Sequence, residues 1–467
     1  MHFYNSKLFD VKKLSTRCAS LLCGLALIST SLPAIAKVSA EEAARLGKDL
    51  TPMGGEMAAN AAGTIPTWTG GITAAPGSYK KGAHHSNPFP EDKPLFVISA
   101  QNINQYVDQL TPGQKALFKT YPTWKMPVYA TRRTASYPTY VYDAAKANAT
   151  RSELANNGNG VVNAAISIPF PIPQSGLEVV FNHNMRWRGT GIHREVTQVV
   201  PTASGEYSPI AFVEDFIFDY GQPQKTIEEV NKTDLLFYFK QKVVAPARLA
   251  GSILLVHETI DQVKNPRRAW IYNTGQRRVR RAPQVSYDNP GTASDGMRTN
   301  DNFDMFNGSP DRYDWKLVGK KEIFIPYNAY DLHSDKLKYE EIVRPGHINP
   351  DHTRYELHRV WVVEGSLKNG MRHLYSKRVF FIDEDTWQIG VADHYDGRGQ
   401  LWRVAEAHAL NYYEVPVPWH TLEVLHDLQA RRYLVLGLDN ESKMYEFGGK
   451  ASPSEFTSDA LRREGLR

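Results

Sequence analysis

Short runs of alternating or aromatic residues, separated by turn residues, dominate the chain after Gly160. Alternation with period two is typical of antiparallel strands that bury one face. The pattern predicts strands at 161–168, 177–188, 191–201, 209–220, 251–261, 268–273, 277–282, 315–325, 354–365, 371–383, 386–396 and 400–411. So many strands predict a mainly β (α+β) fold, in which helices cover a large curved antiparallel sheet or incomplete β-barrel.

Helical patterns precede this region. Ser39 is a candidate N-cap for a helix over 39–50, and Pro112 suits the first turn of a helix over 112–121. Two more helices are predicted at 102–110 and 143–155, the second of which ends at Asn156-Asn157-Gly158.

One helical pattern interrupts the strands. Apolar residues recur at helical spacing within 226–243, and they are Ile227, Val230, Leu235, Phe239 and Val243. This segment is predicted to form a helical lid that, with the helices near 102–121, shields the sheet from water.

The domain organisation follows from these patterns. Residues 51–94 are rich in Gly and Pro, which predicts a segment that wraps over a surface. We expect four parts, which are a signal peptide over 1–36, a loop-rich and helical N-terminal segment over 37–160, a β-sheet body over 161–440 and a C-terminal tail over 441–467.

The N-terminus has the pattern of a cleaved export signal. Four basic residues precede the apolar run 21–28, and the small-residue pattern Ala34-Ile35-Ala36 follows it. The apolar run is much shorter than the roughly 20 residues of a membrane-spanning helix. We therefore expect cleavage before Lys37 and a mature protein in the periplasm of a Gram-negative envelope.

Cleavage would change the composition of the protein. Both cysteines, Cys18 and Cys23, lie in the leader, so the mature chain would have no thiol for a disulfide, a metal site or a nucleophile. Removal of the leader's net +3 from the chain's +5 leaves +2. A nearly neutral body does not favour nucleic-acid binding, so no nucleic acid is expected among the partners.

Motifs of common enzyme classes are not found in the sequence. It contains no Gly-x-Ser-x-Gly elbow, no Ser-x-x-Lys set complete with Ser-Asp-Asn and Lys-Thr-Gly, no His-Glu-x-x-His helix and no phosphate-binding glycine loop. We predict no cofactor and no catalytic residues. An enzyme stays an open alternative, because catalytic groups often come from distant positions.

Two stretches could supply metal ligands. One is His347-Ile348-Asn349-Pro350-Asp351-His352, with His358 further on, and the other is Asp393-His394-Tyr395-Asp396. Imidazole and carboxylate ligands suit a divalent ion if these loops converge. His and Asp are also ordinary turn residues, and neither spacing matches a recognised site, so no metal site is assigned.

The densest charge in the predicted mature chain lies around a hairpin. The turn at 273–276 would bring Arg267-Arg268 close to Arg277-Arg278 and Arg280-Arg281. Guanidinium groups arrayed there could hold a phosphate or carboxylate head group, as in an anionic lipid. The alternative is a solvated strand face that pairs with acidic neighbours.

Aromatic side chains in the strands could line an apolar pocket, although core packing is the common role of any single one. With the two arginines, the predicted ligand-binding residues are Phe212, Phe216, Phe218, Trp270, Tyr272, Trp361, Phe380, Trp387, Arg278 and Arg280.

Several motifs resemble those of a bacterial family. Leu50-Thr51-Pro52-Met53-Gly54-Gly55-Glu56 is similar to the N-terminal signature of the DUF1329 family, which consists of proteins of unknown function. The segment Pro169-Phe170-Pro171-Ile172-Pro173, with Asn182-His183 and Arg186-Trp187-Arg188-Gly189, resembles the same family. The resemblance extends over essentially the whole predicted mature chain.

A second, shorter resemblance concerns the strands. Ala269-Trp270-Ile271-Tyr272 and Arg378-Val379-Phe380-Phe381-Ile382-Asp383 look like segments of the LolA and LolB lipoprotein-sorting proteins. The resemblance implies an incomplete β-barrel closed by helices around an apolar cavity. It also implies a hydrophobic cargo and work beside an envelope exporter.

Together these observations favour a periplasmic binding or carrier protein for a lipid or other hydrophobic molecule. Its expected partners are that molecule and an inner-membrane exporter or outer-membrane protein. The alternatives are a metal- or carboxylate-dependent periplasmic hydrolase that uses His347, Asp351 and His352, and a non-catalytic partner of an outer-membrane or transporter assembly that docks through 51–94.

Overall fold

β-Strands carry most of the fold. A computed structural model describes residues 38–282, 287–449 and 451–466. The strands are β1 (Phe96–Ile98), β2 (Met126–Val128), β3 (Glu153–Ala155), β4 (Gly160–Val162), β5 (Gly191–Val199), β6 (Ile210–Ile217), β7 (Leu235–Ala245), β8 (Ile253–Thr259), β9 (Arg268–Asn273), β10 (Arg278–Arg281), β11 (Tyr313–Pro326), β12 (Tyr355–Leu367), β13 (Lys377–Asp383), β14 (Ile389–Tyr395), β15 (Leu401–Tyr412), β16 (Val417–Asp427), β17 (Arg432–Leu438) and β18 (Glu446–Phe447).

Helices are fewer and short in the described residues. They are α1 (Ala40–Ala43), α2 (Pro112–Thr120), α3 (Thr139–Arg151), α4 (Gly176–Met185), α5 (Ile227–Thr233), α6 (Tyr339–Ile342) and α7 (Ser458–Gly465). None of the helices in the described ranges is both long and apolar enough to cross a membrane. The predicted signal peptide at 1–36 lies outside the described residues and stays a prediction.

Sixteen strands form one large sheet. Its order is β1-β2-β12-β13-β14-β15-β16-β17-β5-β6-β7-β8-β9-β10, with β11 paired to β12 and β18 paired to β5. The first and last strands of this order do not pair with each other, so the sheet is open. The predicted mainly β fold with a large, unclosed sheet is therefore confirmed.

The sheet buries a different set of residues on each face. On the inner face of β5–β9, Phe216, Phe239 and Val256 belong to the largest core cluster, which also includes residues of α3, α4 and the segment 297–306. On the outer face, Leu255 and Tyr272 pack against the C-terminal residues. The inner face is thus covered by α3, α4 and the segment 297–306, and the outer face is covered by the C-terminal residues.

The predicted lid at 226–243 is wrong beyond its first two turns. Thr226 caps α5, but Asp234 takes a left-handed conformation and ends the helix, and β7 begins at Leu235. Leu235, Phe239 and Val243 are spaced by four residues, which matches one face of a strand as well as one face of a helix. The same apolar residues therefore satisfied both patterns.

The strand predicted at 177–188 is also wrong, because residues 176–185 form α4. Ser175 caps this helix through its side chain, which accepts a hydrogen bond from Glu178 N. Nearly every residue of α4 is buried, so the segment has no polar face to reveal helical periodicity. Tertiary burial here overrides the strand preference of Val179, Val180 and Phe181.

Other predictions near the N-terminus fare better. Ser39 caps α1 and Pro112 begins α2, as expected, but α1 ends at Ala43 and does not extend over the predicted range 39–50. The predicted helix at 102–110 is only two short 3₁₀ turns, Ile103–Gln105 and Val107–Gln109. These turns pack beside the second core cluster, away from the inner face of β5–β9.

The N-terminal signature residues tie the chain to the sheet. Trp387 Nε1 donates a hydrogen bond to the carbonyl of Met53, 2.9 Å away. Gly54 has φ +93°, and a Cβ at this position would lie 1.8 Å from the carbonyl oxygen of Pro171. The close approach of 51–55 to the proline-rich segment 169–173 therefore leaves no room for a side chain at Gly54.

The segment predicted as a C-terminal tail is packed on the sheet. β18 pairs with β5, and α7 covers the outer face of β8 and β9. Leu461 is 1% exposed in a cluster with Leu255, Tyr272 and Phe456. The last residues therefore complete the outer core of this part of the sheet.

We expect Leu461→Ala to lower the free energy of unfolding by about 2–3 kcal/mol, because it leaves a cavity in a packed cluster. Leu466, on the same C-terminal segment, is 51% exposed, so Leu466→Ala is the matched control and should change the free energy little. Urea unfolding followed by tryptophan fluorescence measures both. Equal midpoints for the two variants would show that α7 does not stabilise the sheet.

Candidate functional site

The inner face of the sheet ends in a groove at β8–β10. The register places Gln241 opposite Leu254, Leu254 opposite Ile271, and Ile271 opposite Arg280. These four residues form one cross-strand row, because directly opposed residues point to the same face of an antiparallel sheet. The row runs from a buried glutamine, across two apolar side chains, to an arginine on the last strand.

This arginine-edged groove has a volume of about 770 Å³. The segment that follows β10 supplies its second wall. The lining residues are Leu254, Ile271, Asn273, Gln276, Arg280, Arg281, Ala282, Asn289, Pro290, Thr292 and Asn300. The volume lies within the range of about 300–1,000 Å³ that is usual for small-molecule sites.

A smaller cavity of about 50 Å³ adjoins the groove and shares Leu254, Thr292 and Asn300 with it. Phe237, Phe239, Val256 and Phe303 contribute most of its apolar lining. The ring of Phe303 lies 5.4 Å from that of Phe239 and 6.2 Å from that of Phe216. Phe303 therefore fills the inner face next to the groove, where an empty apolar cavity was expected.

A buried ionic cluster lies deeper under the same segment. Asp304 is 2% exposed and accepts hydrogen bonds from Arg186 at 2.5 Å, from Arg188 and from Trp419 Nε1 at 3.0 Å. Burial opposes its charge, but the two guanidinium groups hold the pKa of Asp304 well below its usual range. Asp304 thereby fastens the segment 297–307 to the inner face.

Glu423 lies beside this cluster, and its pKa is shifted in the opposite direction. Burial, together with the negative charge of Asp304, raises the pKa of Glu423 to about 8. The backbone N–H of Met305 donates a 2.5 Å hydrogen bond to its carboxyl group. At neutral pH the folded chain thus holds Glu423 as a neutral acid.

The ten predicted ligand-binding residues do not share one surface. Arg280 lines the groove, and Arg278 lies two positions along β10, on the same face. Trp270 and Tyr272 lie on the outer face under α7. The remaining residues, which are Phe212, Phe216, Phe218, Trp361, Phe380 and Trp387, are buried in or packed against the inner core.

Arg280 is therefore the one of the ten predicted residues that lines the groove, and Arg278 lies beside it on β10. Leu254, Ile271 and the wall at 289–300 were missed. Alternation along β8 and β9 indicated which residues share a face, but the pairing of these strands with β10 was needed to find the row.

The candidate metal ligands of the first predicted stretch do not come together at one point. His347 bonds Thr123 at 2.9 Å and the carbonyl of Ile348 at 2.7 Å, whereas Asp351 and His352 lie on a 3₁₀ turn. In the ranges that the structure covers, the group of three or more candidate ligands with atoms within 4.8 Å is His358, Asp383 and Asp385. The arrangement expected of the hydrolase alternative is therefore not found.

The second stretch is buried rather than open. Asp393 accepts a 2.9 Å hydrogen bond from the backbone N–H of Gly113 at the start of α2, and His394 bonds Asn302 at 3.0 Å. Burial raises the pKa of Asp393 to about 7. These contacts anchor α2 and the segment 299–302 to β14.

The group around His358 is an ionic network. Burial disfavours a charge on His358, but hydrogen bonds with Asp383 and Glu356 outweigh it and raise its pKa to about 9. Arg133 holds both oxygens of Asp385, at 2.7 and 2.8 Å. A protonated imidazole has no lone pair for a metal, so these contacts favour a structural role.

Two solved structures are similar to part of this chain. A putative outer membrane lipoprotein-sorting protein domain from Vibrio parahaemolyticus matches 61% of this chain and 97% of its own, with 14% identity and a TM-score of 0.42. A DUF1329 family protein from Desulfovibrio piger likewise matches 61% of this chain and 97% of its own, with 15% identity and a TM-score of 0.41.

Sequence comparison gives a much stronger match. An uncharacterized protein of Pseudomonas aeruginosa is 57% identical over 450 residues, which are 95% of this chain and 97% of that protein. The family model described as "Protein of unknown function (DUF1329)" matches residues 97–462. The chain therefore belongs to the DUF1329 family.

Proposed function

We propose that this protein is a periplasmic binding or carrier protein for an amphipathic molecule with an anionic head group, and that it works with an envelope export system. The observation that carries the proposal is the row from Leu254 and Ile271 to Arg280 in the arginine-edged groove. The apolar side chains would contact the hydrophobic part of the ligand, and Arg280 would pair with its head group.

Exposure and charge support this assignment. Ile271 is 39% exposed in the folded protein, although it lies in the middle of a strand. Arg280 and Arg278 are exposed on the edge strand β10, where a guanidinium group can donate two hydrogen bonds to a carboxylate or phosphate. Transfer of an acyl chain from water contributes about 0.8 kcal/mol per buried CH₂ group, so a partly buried chain would suffice for binding.

Phe303 separates the groove from Phe216 and the aromatic residues behind it. A short or slender ligand would occupy the groove as it stands. A longer chain would reach Phe216, Phe212 and Phe218 only if the segment 297–307 moved aside. In this proposal those three aromatic residues form the inner end of the site.

Titration of the purified protein with a fluorescent fatty-acid probe tests the proposal. We expect saturable binding that Ile271→Asn weakens at least 10-fold, because a polar side chain replaces the apolar floor. Arg280→Gln should weaken binding of the anionic probe several-fold and leave binding of an uncharged analogue unchanged.

Arg398 supplies the matched control, since its side chain is 73% exposed and bonds Asp396 away from the groove. Arg398→Gln should bind both probes like the wild type. Mass spectrometry of small molecules that copurify with the protein would identify the ligand class. Absence of probe binding, together with absence of any copurifying amphiphile, would refute the carrier function.

A further inference from the structure

Three histidines and two carboxylates meet outside the groove. His84 and His85 lie in the loop before β1, and His333 lies in the turn after β11. Glu414 comes from the turn between β15 and β16, and Asp439 follows β17. The fold thus brings four separate parts of the chain to one place, and one of these parts is the loop 77–86.

The two inner histidines face each other. Nδ1 of His85 lies 3.2 Å from Nε2 of His333. The opposite nitrogen of each ring contacts a carboxylate: His85 Nε2 bonds Glu414, and His333 Nδ1 bonds Asp439 at 2.7 Å. Both histidine side chains are fully buried, and the Glu414 side chain is 21% exposed.

These carboxylates determine which ring nitrogens carry hydrogen. A carboxylate only accepts, so His85 Nε2 and His333 Nδ1 must each donate. In neutral imidazole the other nitrogen then has a lone pair. Two nitrogens with lone pairs therefore lie 3.2 Å apart, an arrangement that is repulsive unless a proton or a metal cation is bound to both.

The separation fits a metal ion. Nitrogen ligands lie about 2.0–2.1 Å from Zn²⁺, so two of them in a tetrahedral site are roughly 3.3–3.4 Å apart. The observed 3.2 Å is close to this value. The outer carboxylates also match the pattern in which a metal-bound histidine donates its second N–H to an acid.

The charge of the cluster and a third imidazole also support a metal site. Glu414 and Asp439 bring two negative charges to the cluster, which a divalent cation would balance. Oδ1 of Asp439 is buried without a hydrogen-bond partner in the described parts of the chain. The ring of His84 lies 5.0 Å from that of His333, and its Nε2 lies 3.1 Å from the carbonyl oxygen of Asp439. A turn about the His84 side-chain bonds would exchange this contact for one with a metal ion held by the pair.

We propose that His85 Nδ1 and His333 Nε2, completed by His84, bind one divalent transition-metal cation of the Zn²⁺ class. Glu414 and Asp439 are positioning residues, which fix the tautomer and orientation of the two inner rings. The site shares no residue with the arginine-edged groove, so it does not depend on the proposed ligand of that groove.

Equilibrium dialysis of the chelator-treated protein against Zn²⁺, with metal content measured by mass spectrometry, tests the site. We expect one Zn²⁺ per wild-type chain. His85→Gln and His333→Gln should each weaken binding at least 100-fold, and His84→Gln at least 10-fold. Glu414→Gln should weaken it about 10–100-fold, as second-contact acids of metal-bound histidines do. Co²⁺ in place of Zn²⁺ should give visible absorption bands typical of nitrogen ligation, which His85→Gln abolishes.

His193→Gln is the matched control, because His193 also bonds an acid, Asp215, but its side chain is 42% exposed on β5. It should bind Zn²⁺ like the wild type. If His333→Gln does not fold, His85→Gln decides, since His85 lies in the loop 77–86, outside the helices and strands. The proposal is overturned if the wild type binds no stoichiometric metal, which would leave a shared proton between the rings, or if His85→Gln binds Zn²⁺ as tightly as the wild type.

Discussion

Replacement of Asp304 by asparagine is expected to lower the free energy of unfolding by about 3–5 kcal/mol, the usual cost of removing one partner from a buried ion pair. Asp304 is the anion that Arg186 and Arg188 share, and all three side chains are at most 3% exposed. An asparagine has nearly the same shape but no charge. Two buried guanidinium groups would therefore be left without the carboxylate that balances them.

Asp295 provides the matched control in the same connecting segment. It pairs with Arg432 at 2.6 Å, but its side chain is 63% exposed, and exposed pairs contribute only about 0–1 kcal/mol. Urea unfolding of Asp304→Asn and Asp295→Asn compares the two positions. If both variants unfold at the wild-type midpoint, the cluster around Asp304 does not hold the segment 297–307 in place.

A second large effect is expected for Glu423→Gln at alkaline pH. The folded pKa of Glu423 is about 8, above its ordinary value of 4.5, so the native chain keeps a proton that the unfolded chain releases. Between these values each pH unit lowers the free energy of unfolding by about 1.4 kcal/mol through this group. The stabilising contribution is complete below pH 4.5 and is lost as the pH rises toward 8.

Glutamine stays neutral at every pH and keeps the oxygen that accepts from Met305 N. Glu423→Gln should therefore resemble the wild type near pH 5 and be more stable at pH 8, by on the order of 3 kcal/mol. Unfolding curves at several pH values give the slope for each protein. Glu364→Gln, at a 36% exposed side chain, is the control and should follow the wild-type slope. Parallel slopes for all three proteins would contradict the raised pKa of Glu423.

Alternation along the chain predicted most of the sheet, because strands with one polar face have an obvious period. Burial of both faces weakens this signal, although β13, β14 and β15, which are also buried almost throughout, were predicted from their alternating or aromatic residues. β16 and β17 were not predicted, since every residue of β16 and all but the first of β17 are buried and leave little alternation. Burial also explains why α4 was not predicted as a helix, because nearly all of its residues are buried.

The candidate sites were less accessible to sequence reasoning. The arginine hairpin was visible because Asn273 to Gln276 form a local turn, and β9 pairs with β10 as predicted. The cluster of His85, His333 and Asp439 was invisible, because these residues come from segments more than a hundred positions apart. Only the pairing of distant strands brings them together.

The family motifs acquire physical roles in the structure. Asn182 donates to the carbonyl of Phe170 at 2.6 Å and accepts from its N–H at 2.9 Å, which fixes the proline-rich segment to α4. Arg186 and Arg188 bind Asp304. The resemblance identified these residues without a function, and their contacts explain why a chain of this fold needs those side chains at those positions.

The order of the sheet also bears on when the protein can fold. β17 lies between β16 and β5 and joins the strands of the first half of the chain to those of the second, with Val435 opposite Val199. During synthesis β5 can pair with β6 early, but it must wait for more than two hundred later residues before its second neighbour, β17, exists. Without β17 the strands of the two halves are not joined at this position, so this part of the sheet can be completed only after β17 has been made.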